Sequence, residues 1–351
     1  MHIRKATPGD NDELEALQAQ CPMGTSLIFT TANTPDFFAR AKAYPSYQVY
    51  AACQDERIVA SAACAIREAT INGRTCRVGY EFQYFSSSHH RKKGAARGLH
   101  QRIQAHLAQN DVALSYLITT ADNVPSIKLF TGQGFHHHRT LVIPNLLVYK
   151  HMDVPAGGKI RPATPQDLAP VAALLNKTWQ GHNLYAPTSA EALDRFIQRV
   201  PAYNLDDLLI LQERGEIVAC LGFWDWSKIT HITVQTLDLK LRILRRLLDL
   251  ARMFRPMPRV VPPGSSLKQW AVTPMAFKTP AHLATLLRYA NNQALERGIE
   301  QIVCIGEQGH RLFQGAKGFF RADVTAHLYV QALQPDIVLG DAPIFMDGID
   351  L

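Results

Sequence analysis

No apolar run in the chain approaches the ~18 residues that a membrane span requires, which excludes a spanning helix. The opening residues Met1 to Asp10 contain no apolar h-region, so no secretory signal is expected there. Cysteine is sparse and scattered: Cys21, Cys53, Cys64, Cys76, Cys220 and Cys304 form no C-x-x-C pair. Free, partly buried thiols in a reducing cytoplasm account for them. Two phosphate-binding signatures are missing as well, the G-x-x-x-x-G-K-[ST] loop and the G-x-G-x-x-G turn. Charge of one sign is not abundant either. There are 37 Lys and Arg against 30 Asp and Glu, a net charge of +7 over 351 residues. No nucleic-acid motif accompanies that charge, so no nucleic-acid partner is expected. His136-His137-His138 has no acidic or cysteine partner at ligand spacing, and no metal is expected.

What is present begins with Arg91-Lys92-Lys93-Gly94-Ala95-Ala96. An extended segment, Val78 to Ser88, precedes it, and an amphipathic helix starts near Gly94. The first N–H groups of a helix lack intrahelical partners, and the helix dipole favours anions there. Gly94 permits close backbone approach, and two alanines keep side chains out of the way. The three basic residues add charge. Strand, basic loop and helix start together can hold a pyrophosphate. A second element follows a buried-looking strand, Ala113 to Thr119. It runs Asn123-Val124-Pro125-Ser126-Ile127-Lys128-Leu129-Phe130 and closes on Gly134-Phe135. Pro125 suits a helix start and Gly134 a helix exit.

Over residues 1–150 these elements resemble the GNAT acyltransferase superfamily in order and spacing, including its [RQ]-x-x-G-x-[GA] loop. The resemblance implies an acetyl-CoA cosubstrate. Its pyrophosphate would lie on Arg91, Lys92, Lys93, Gly94, Ala95 and Ala96. The thioester would meet backbone groups of Ser86, Ser87 and Ser88 on a strand opened by a bulge. Asn123 and Ser126 match positions near the pantetheine arm and the sulfur. Phe130 completes this cofactor-binding set, standing where the family often has a tyrosine general acid. With that tyrosine gone, the thiolate would leave unassisted, or through water, Ser126 or Tyr84. Amine acylation also needs a base. Glu81, in the otherwise apolar stretch Val78-Gly79-Tyr80-Glu81-Phe82, is the first candidate, against the alternative of a solvent-facing strand-edge carboxylate. Glu81 and Ser126 form the expected catalytic pair.

The start of the chain recurs internally. Ile3-Arg4-Lys5-Ala6-Thr7-Pro8-Gly9-Asp10 is echoed by Ile160-Arg161-Pro162-Ala163-Thr164-Pro165-Gln166-Asp167. Glu56-Arg57-Ile58-Val59-Ala60 matches Gly215-Glu216-Ile217-Val218-Ala219, and Leu129-Phe130 before Gly134-Phe135 matches Leu312-Phe313 before Gly318-Phe319. A duplication follows. The expected fold is α/β (α+β): two tandem GNAT-like domains, each a mixed, mostly antiparallel central sheet flanked by helices. Domain boundaries are expected at 1–152 and 159–351, around a linker at 153–158 that contains Pro155-Ala156-Gly157-Gly158.

The second copy looks degenerate. At its loop, Thr273 to Ala281, there is no glycine, and two prolines remove donors. It also carries an inserted basic amphipathic helix at 236–254, expected to cover the first domain or wall its substrate cleft. The reading is an acetyl-CoA-dependent N-acetyltransferase, active in the first domain. Its acceptor would be a primary amine of a small molecule, peptide or protein, bound by Cys21–Tyr44 and the second domain. The alternative is a non-catalytic acyl-CoA sensor. The protein is expected in the cytoplasm, as a monomer or homodimer, with no membrane partner.

Overall fold

The computed structural model describes residues 1–91 and 93–351. The first half contains β1 (His2–Lys5), α1 (Asn11–Ala19), β2 (Leu27–Asn33), β3 (Ser46–Gln54), β4 (Arg57–Ile71), β5 (Arg74–Ser86), α2 (Ala95–Gln109), β6 (Val112–Thr120), α3 (Val124–Thr131) and β7 (His136–Leu147). The second half contains β8 (Lys159–Pro162), α4 (Leu168–Trp179), α5 (Ala190–Arg199), β9 (Leu208–Glu213), β10 (Glu216–Asp225), β11 (Thr230–Leu237), α6 (Leu239–Ala251), β12 (Ser266–Leu267), β13 (Gln269–Phe277), α7 (Pro280–Glu296), β14 (Gln301–Val303), β15 (Gly306–Glu307), α8 (Leu312–Gly315) and β16 (Arg321–Ala332).

Both halves begin with the same device. Arg4 clasps Asp10 through two hydrogen bonds of 2.6 and 2.7 Å, and Arg161 clasps Asp167 at 2.6 and 2.9 Å. The same carboxylates accept from the backbone N–H and hydroxyl of Thr7 and Thr164. The recurring Arg, Thr, Pro and Asp therefore tie the edge strand to the first helix and cap its entry. Hairpins follow from local chemistry. Asp55-Glu56, Asn72-Gly73 and Arg214-Gly215 all have positive φ, as the tight turns between β3 and β4, β4 and β5, and β9 and β10 require.

One large sheet runs through the molecule in the order β1-β3-β4-β5-β6-β16-β7-β14-β13-β10-β9-β8, with β15 paired to β7. Pairing is antiparallel except between β5 and β6 and between β13 and β14. The two halves exchange their last strands. β16 enters between β6 and β7, and β7 pairs with β14 of the other half. The sheet is thus mixed, mostly antiparallel and flanked by helices.

Alanine-rich strands let helices approach both faces. Ala52, Ala60 and Ala62 receive Leu99, Ile103 and Leu107 of α2. Ala51, Ala63 and Ala65 face α1 and the main core that spans both halves. The insertion expected at 236–254 is a strand–helix–strand unit, with α6 between β11 and β12. β11 pairs with β2, so a small second sheet also joins the halves. Phe37 and Phe38, in the segment expected to bind the acceptor, are buried in the core against each other and Phe85.

The Arg–Asp clasps hold both carboxyls below the usual carboxylate range, the hydrogen bond from the arginine being the main cause. Asp167→Ala should cost about 1–2 kcal/mol, read as a lower denaturation midpoint. Because each folded-state pKa is depressed, that contribution should hold above the ordinary aspartate pKa and fade as pH falls below it.

Candidate active site

β5 and β6 pair in parallel from Arg77 opposite Val112 to Tyr80 opposite Tyr116, and no further. Beyond Tyr80 the strands part. On its other edge β5 bulges: Phe82 faces Ala63 and Phe85 faces Ser61, leaving Gln83 and Tyr84 outside the ladder. Gln83 takes φ of 52°, a left-handed conformation that glutamine adopts rarely. Its side chain is 7% exposed, yet neither amide atom has a hydrogen-bond partner in the protein. A buried unpartnered amide is costly, and such groups call for an explanation.

Glu81 lies just past the last paired residue, facing α2 and fully buried. Oε1 accepts from Gln104 Nε2 at 2.5 Å and Ser115 Oγ at 2.8 Å. Oε2 takes the Tyr84 hydroxyl and approaches His100 Nδ1 at 3.1 Å. Four partners occupy the carboxylate's acceptor positions. Glu81 is therefore not the exposed edge carboxylate of the alternative reading; it ties β5, α2 and β6 together where the strands diverge. Burial pushes the Tyr84 phenol well above its ordinary pKa, and the neighbouring Glu81 charge pushes it further.

After the bulge the strand ends at Ser86, and Ser88, His89 and His90 form a short 3-10 turn. The Ser87 N–H already donates to Val59 O, and Ser86 O accepts from Cys21 Sγ. Arg91, Lys93 and Gly94 are exposed; Lys92 lies outside the described residues. Gly94 has φ of 88° at the helix entry, and a Cβ there would meet nothing within 4 Å. Ala95 is buried, Ala96 half-buried, and no side chain caps α2. Among the described residues, no side chain covers the α2 entry at Gly94.

Asn123 caps α3, accepting from the Ser126 N–H at 3.3 Å. Asp122 beside it accepts from Thr25 Oγ1 at 2.5 Å, which ties the loop after α1 to the end of β6. Phe130 is buried, edge-on to Tyr84 at 4.9 Å and against Phe135 at 5.7 Å. Its ring belongs to a small core with Leu117 and Tyr329.

A second cluster had no signal in the local sequence. On the face of β5 opposite Glu81, Tyr80 stacks between Phe82 at 5.1 Å and Tyr116 at 5.0 Å. The last residues of the chain dock there. The Tyr80 hydroxyl donates to Asp350 O at 2.6 Å, and the Tyr44 hydroxyl to Ile349 O at 2.8 Å. Arg40 donates to Leu351 O. The Asp350 carboxylate takes the Tyr116 hydroxyl at 3.2 Å and Arg67 at 3.5 Å. Burial raises the Asp350 carboxyl above its ordinary pKa, with Arg67 opposing. Burial likewise pushes Tyr80 up to about 12.

The second half repeats the opening and closes it. β13 and β14 pair from Gln269 to Ala271, then part. β13 bulges at Thr273-Pro274 opposite Gly222, as β5 does at Gln83-Tyr84. Here the chain's own tail enters. The Thr273 hydroxyl donates to Asp347, and Gly348 packs so tightly on Val272 O that a Cβ would lie 2.1 Å from it. Phe345 stands edge-on to Trp179 at 4.8 Å. The space left beside Trp179, Thr273, Phe345 and Asp347 is about 10 Å³, room for one water. α7 begins with Pro280 in its first turn and is capped by Thr279, so its entry is already occupied.

The sequence model of the acetyltransferase (GNAT) family matches residues 13–135. This stretch is a GNAT-family domain. The whole fold is similar to that of N-myristoyltransferase from Saccharomyces cerevisiae with bound myristoyl-CoA, with a TM-score of 0.66, 12% identity, and coverage of 94% of this chain and 82% of that one. A second structure of the yeast enzyme with myristoyl-CoA gives 0.65, 12%, 94% and 78%. A conserved protein of unknown function from Enterococcus faecalis V583, described as a probable N-acyltransferase, gives 0.51, 10%, 95% and 72%. At these identities the likeness is one of fold. No curated protein matches the chain in sequence. The fold is that of acyl-CoA-dependent N-acyltransferases.

The tail in the second opening has a pH signature. Burial, and secondarily Asp350, raises the Asp347 carboxyl above its ordinary pKa. A raised carboxyl destabilises the fold once pH climbs through the titration range. Asp347→Asn keeps the acceptor for Thr273 and removes the charge. The variant should melt above the wild type at neutral pH, with the gap closing as pH drops below about 4. Thermal denaturation across pH checks this.

Proposed function

We propose that the first half transfers an acyl group from acyl-CoA to a primary amine, at the opening between β5 and β6. The observation that carries this is the contrast between two matching openings. In the second half the bulge residue Thr273 is satisfied by the tail. In the first half its counterpart Gln83 is buried and unpartnered. The pantetheine amides of an acyl-CoA would supply the missing partners. The uncapped entry of α2, with Arg91 and Lys93 nearby, suits the pyrophosphate. Lys92, Ala95 and Ala96 complete that cradle, and Asn123 and Ser126 border the arm.

The oxyanion would form against N–H groups of the bulge, nearer Gln83 and Tyr84 than Ser86, Ser87 or Ser88, since Ser87 already donates to Val59. Glu81 acts as a positioning residue: it fixes Tyr84 and His100 where the strands part and leaves no lone pair for an amine. The thiolate leaves without help from Phe130, which a low thiol pKa permits, and the proton that the amine loses passes through water and ends on that thiolate. Aromatic rings fill both sides of the strand, with Phe37 and Phe85 on one face and Phe130 and Phe135 on the other. That packing favours a short acyl group such as acetyl. We further take the second half, 159–351, as a diverged copy of 1–152 across a linker at 153–158. Its own cosubstrate slot is held by residues 345–348. The chain works in the cytoplasm in this reading.

The test is CoA release from an acyl-CoA series with a panel of primary amines. Gly94→Glu puts a charge and a strained backbone in the pyrophosphate cradle and should lower kcat/KM more than a hundredfold, through KM (about 3 kcal/mol). Gln83→Ala should raise KM for acyl-CoA by about tenfold, as loss of one or two hydrogen bonds requires. Glu81→Gln should lower kcat more than it raises KM. Unchanged kinetics in Gly94→Glu would remove the site from this opening.

A further inference from the structure

The insertion does not wall the site with its helix. β11 pairs with β2, but most of the apolar surface of α6 faces outward. Leu241 packs inward onto the small core with Leu237 and Val261, and Leu248 is buried. Leu239, Ile243, Leu247 and Leu250 recur at i, i+4, i+8 and i+11, which puts them on one side of the helix, and Phe254 follows in the turn after it. Their exposure runs from 51% at Ile243 to 82% at Phe254. An aliphatic stripe open to water along the length of a helix is rare on an unpartnered surface.

The charge around this stripe is one-sided. Between Lys240 and Arg259 there are seven basic residues and one acid, Asp249. Asp249 is already shared by Arg245 and Arg252, each at 3.6 Å. Arg246 and Lys240 flank the stripe, where their aliphatic stems can extend it while their charges stay at its border. At the C-terminal end of α6 a groove of about 770 Å³ continues the surface. Arg252, Arg255 and Arg259 line it with Val148, Tyr149 and Ile299, while Glu300 contributes one acid. Apolar walls with three guanidiniums suit an anionic headgroup joined to acyl chains. No described helix is long and apolar enough to cross a bilayer, so any contact is along its surface.

We propose that α6 and this groove form an interfacial docking site for an anionic phospholipid bilayer. The leucine stripe would enter the headgroup–acyl boundary, and the arginines would pair with phosphates. A buried apolar stripe and a basic rim are both needed for stable surface binding. This docking holds the transferase at a membrane face and is independent of which amine it acylates.

The test is co-sedimentation of the full chain with vesicles of phosphatidylcholine alone, and of phosphatidylcholine mixed with phosphatidylglycerol. Binding is expected to the mixed vesicles, at least tenfold tighter than to phosphatidylcholine alone, and weaker in raised salt. The double substitution Leu247→Glu/Leu250→Glu should abolish it. Arg246→Ser, Arg255→Ser and Arg259→Ser avoid every ion pair described above and should each weaken it roughly fivefold. All five positions are on the surface, and an unchanged melting temperature confirms the fold. Failure to bind mixed vesicles, equal binding to both kinds, or binding untouched by Leu247→Glu/Leu250→Glu would overturn the proposal. So would a dimer in sedimentation velocity that this double variant turns into monomer, since a second copy would then cover the stripe.

Discussion

Two strands, β7 and β16, hold the molecule together by trading places. β16 closes the chain's second half in sequence but lies in the first half's sheet, hydrogen-bonded to β6 along Leu114–Thr120 and to β7 along its other edge. β7 in turn borders β14. Neither half has a complete sheet without the other's strand. The exchange also decides where the tail goes. Leaving β16 at the centre, the tail passes the β4–β5 turn, where Asn72 bonds Val338 and Gly340, enters the opening between β13 and β14 at residues 345–348, and ends under the aromatic face of β5. One connection thereby plugs one opening and underlies the other.

The two openings differ in what occupies them. Gln83 against Thr273, and Gly94 against Pro280, separate a site with an unpaired amide and a bare helix entry from one whose hydroxyl and helix start are satisfied. The tail then adds Asp347 and Gly348 to the second opening. Gly348 has no side chain to clash with Val272 O, which lets the segment sit that deep. Its far end buries Asp350 against Arg67, Tyr44 and Tyr116. That polar network specifies how the tail docks more than it stabilises the fold, because desolvation offsets much of a buried ion pair.

Much of this was legible in residue order. The Arg4–Asp10 and Arg161–Asp167 echoes, the hairpin turns and the Gly94 loop all encode local geometry, and local geometry is what spacing reports. The burial of Glu81 was half legible. A lone carboxylate in Val78–Phe82 signals something unusual, but its four partners come from α2, β5 and β6, which no spacing brings together. The strand exchange was not legible, since β7 reads as the last strand of the first half and nothing in its residues says which strands it will border. Nor was the tail: Asp347 and Asp350 meet Thr273, Arg67 and Tyr44 across 74 to 306 positions of sequence. The inserted helix was visible as amphipathic, yet periodicity could not say that it carries two apolar sides, one inward and one facing water.

The proposed activity requires one cosubstrate site, in the first half, with the second held shut by the chain's own residues. Titration calorimetry of the intact protein with acetyl-CoA tests this most directly. One molecule bound per chain is the result required. Two per chain would mean that the tail yields and the second opening is a working site. No binding of acetyl-CoA or any longer acyl-CoA would mean that the fold has been kept for something other than acyl transfer.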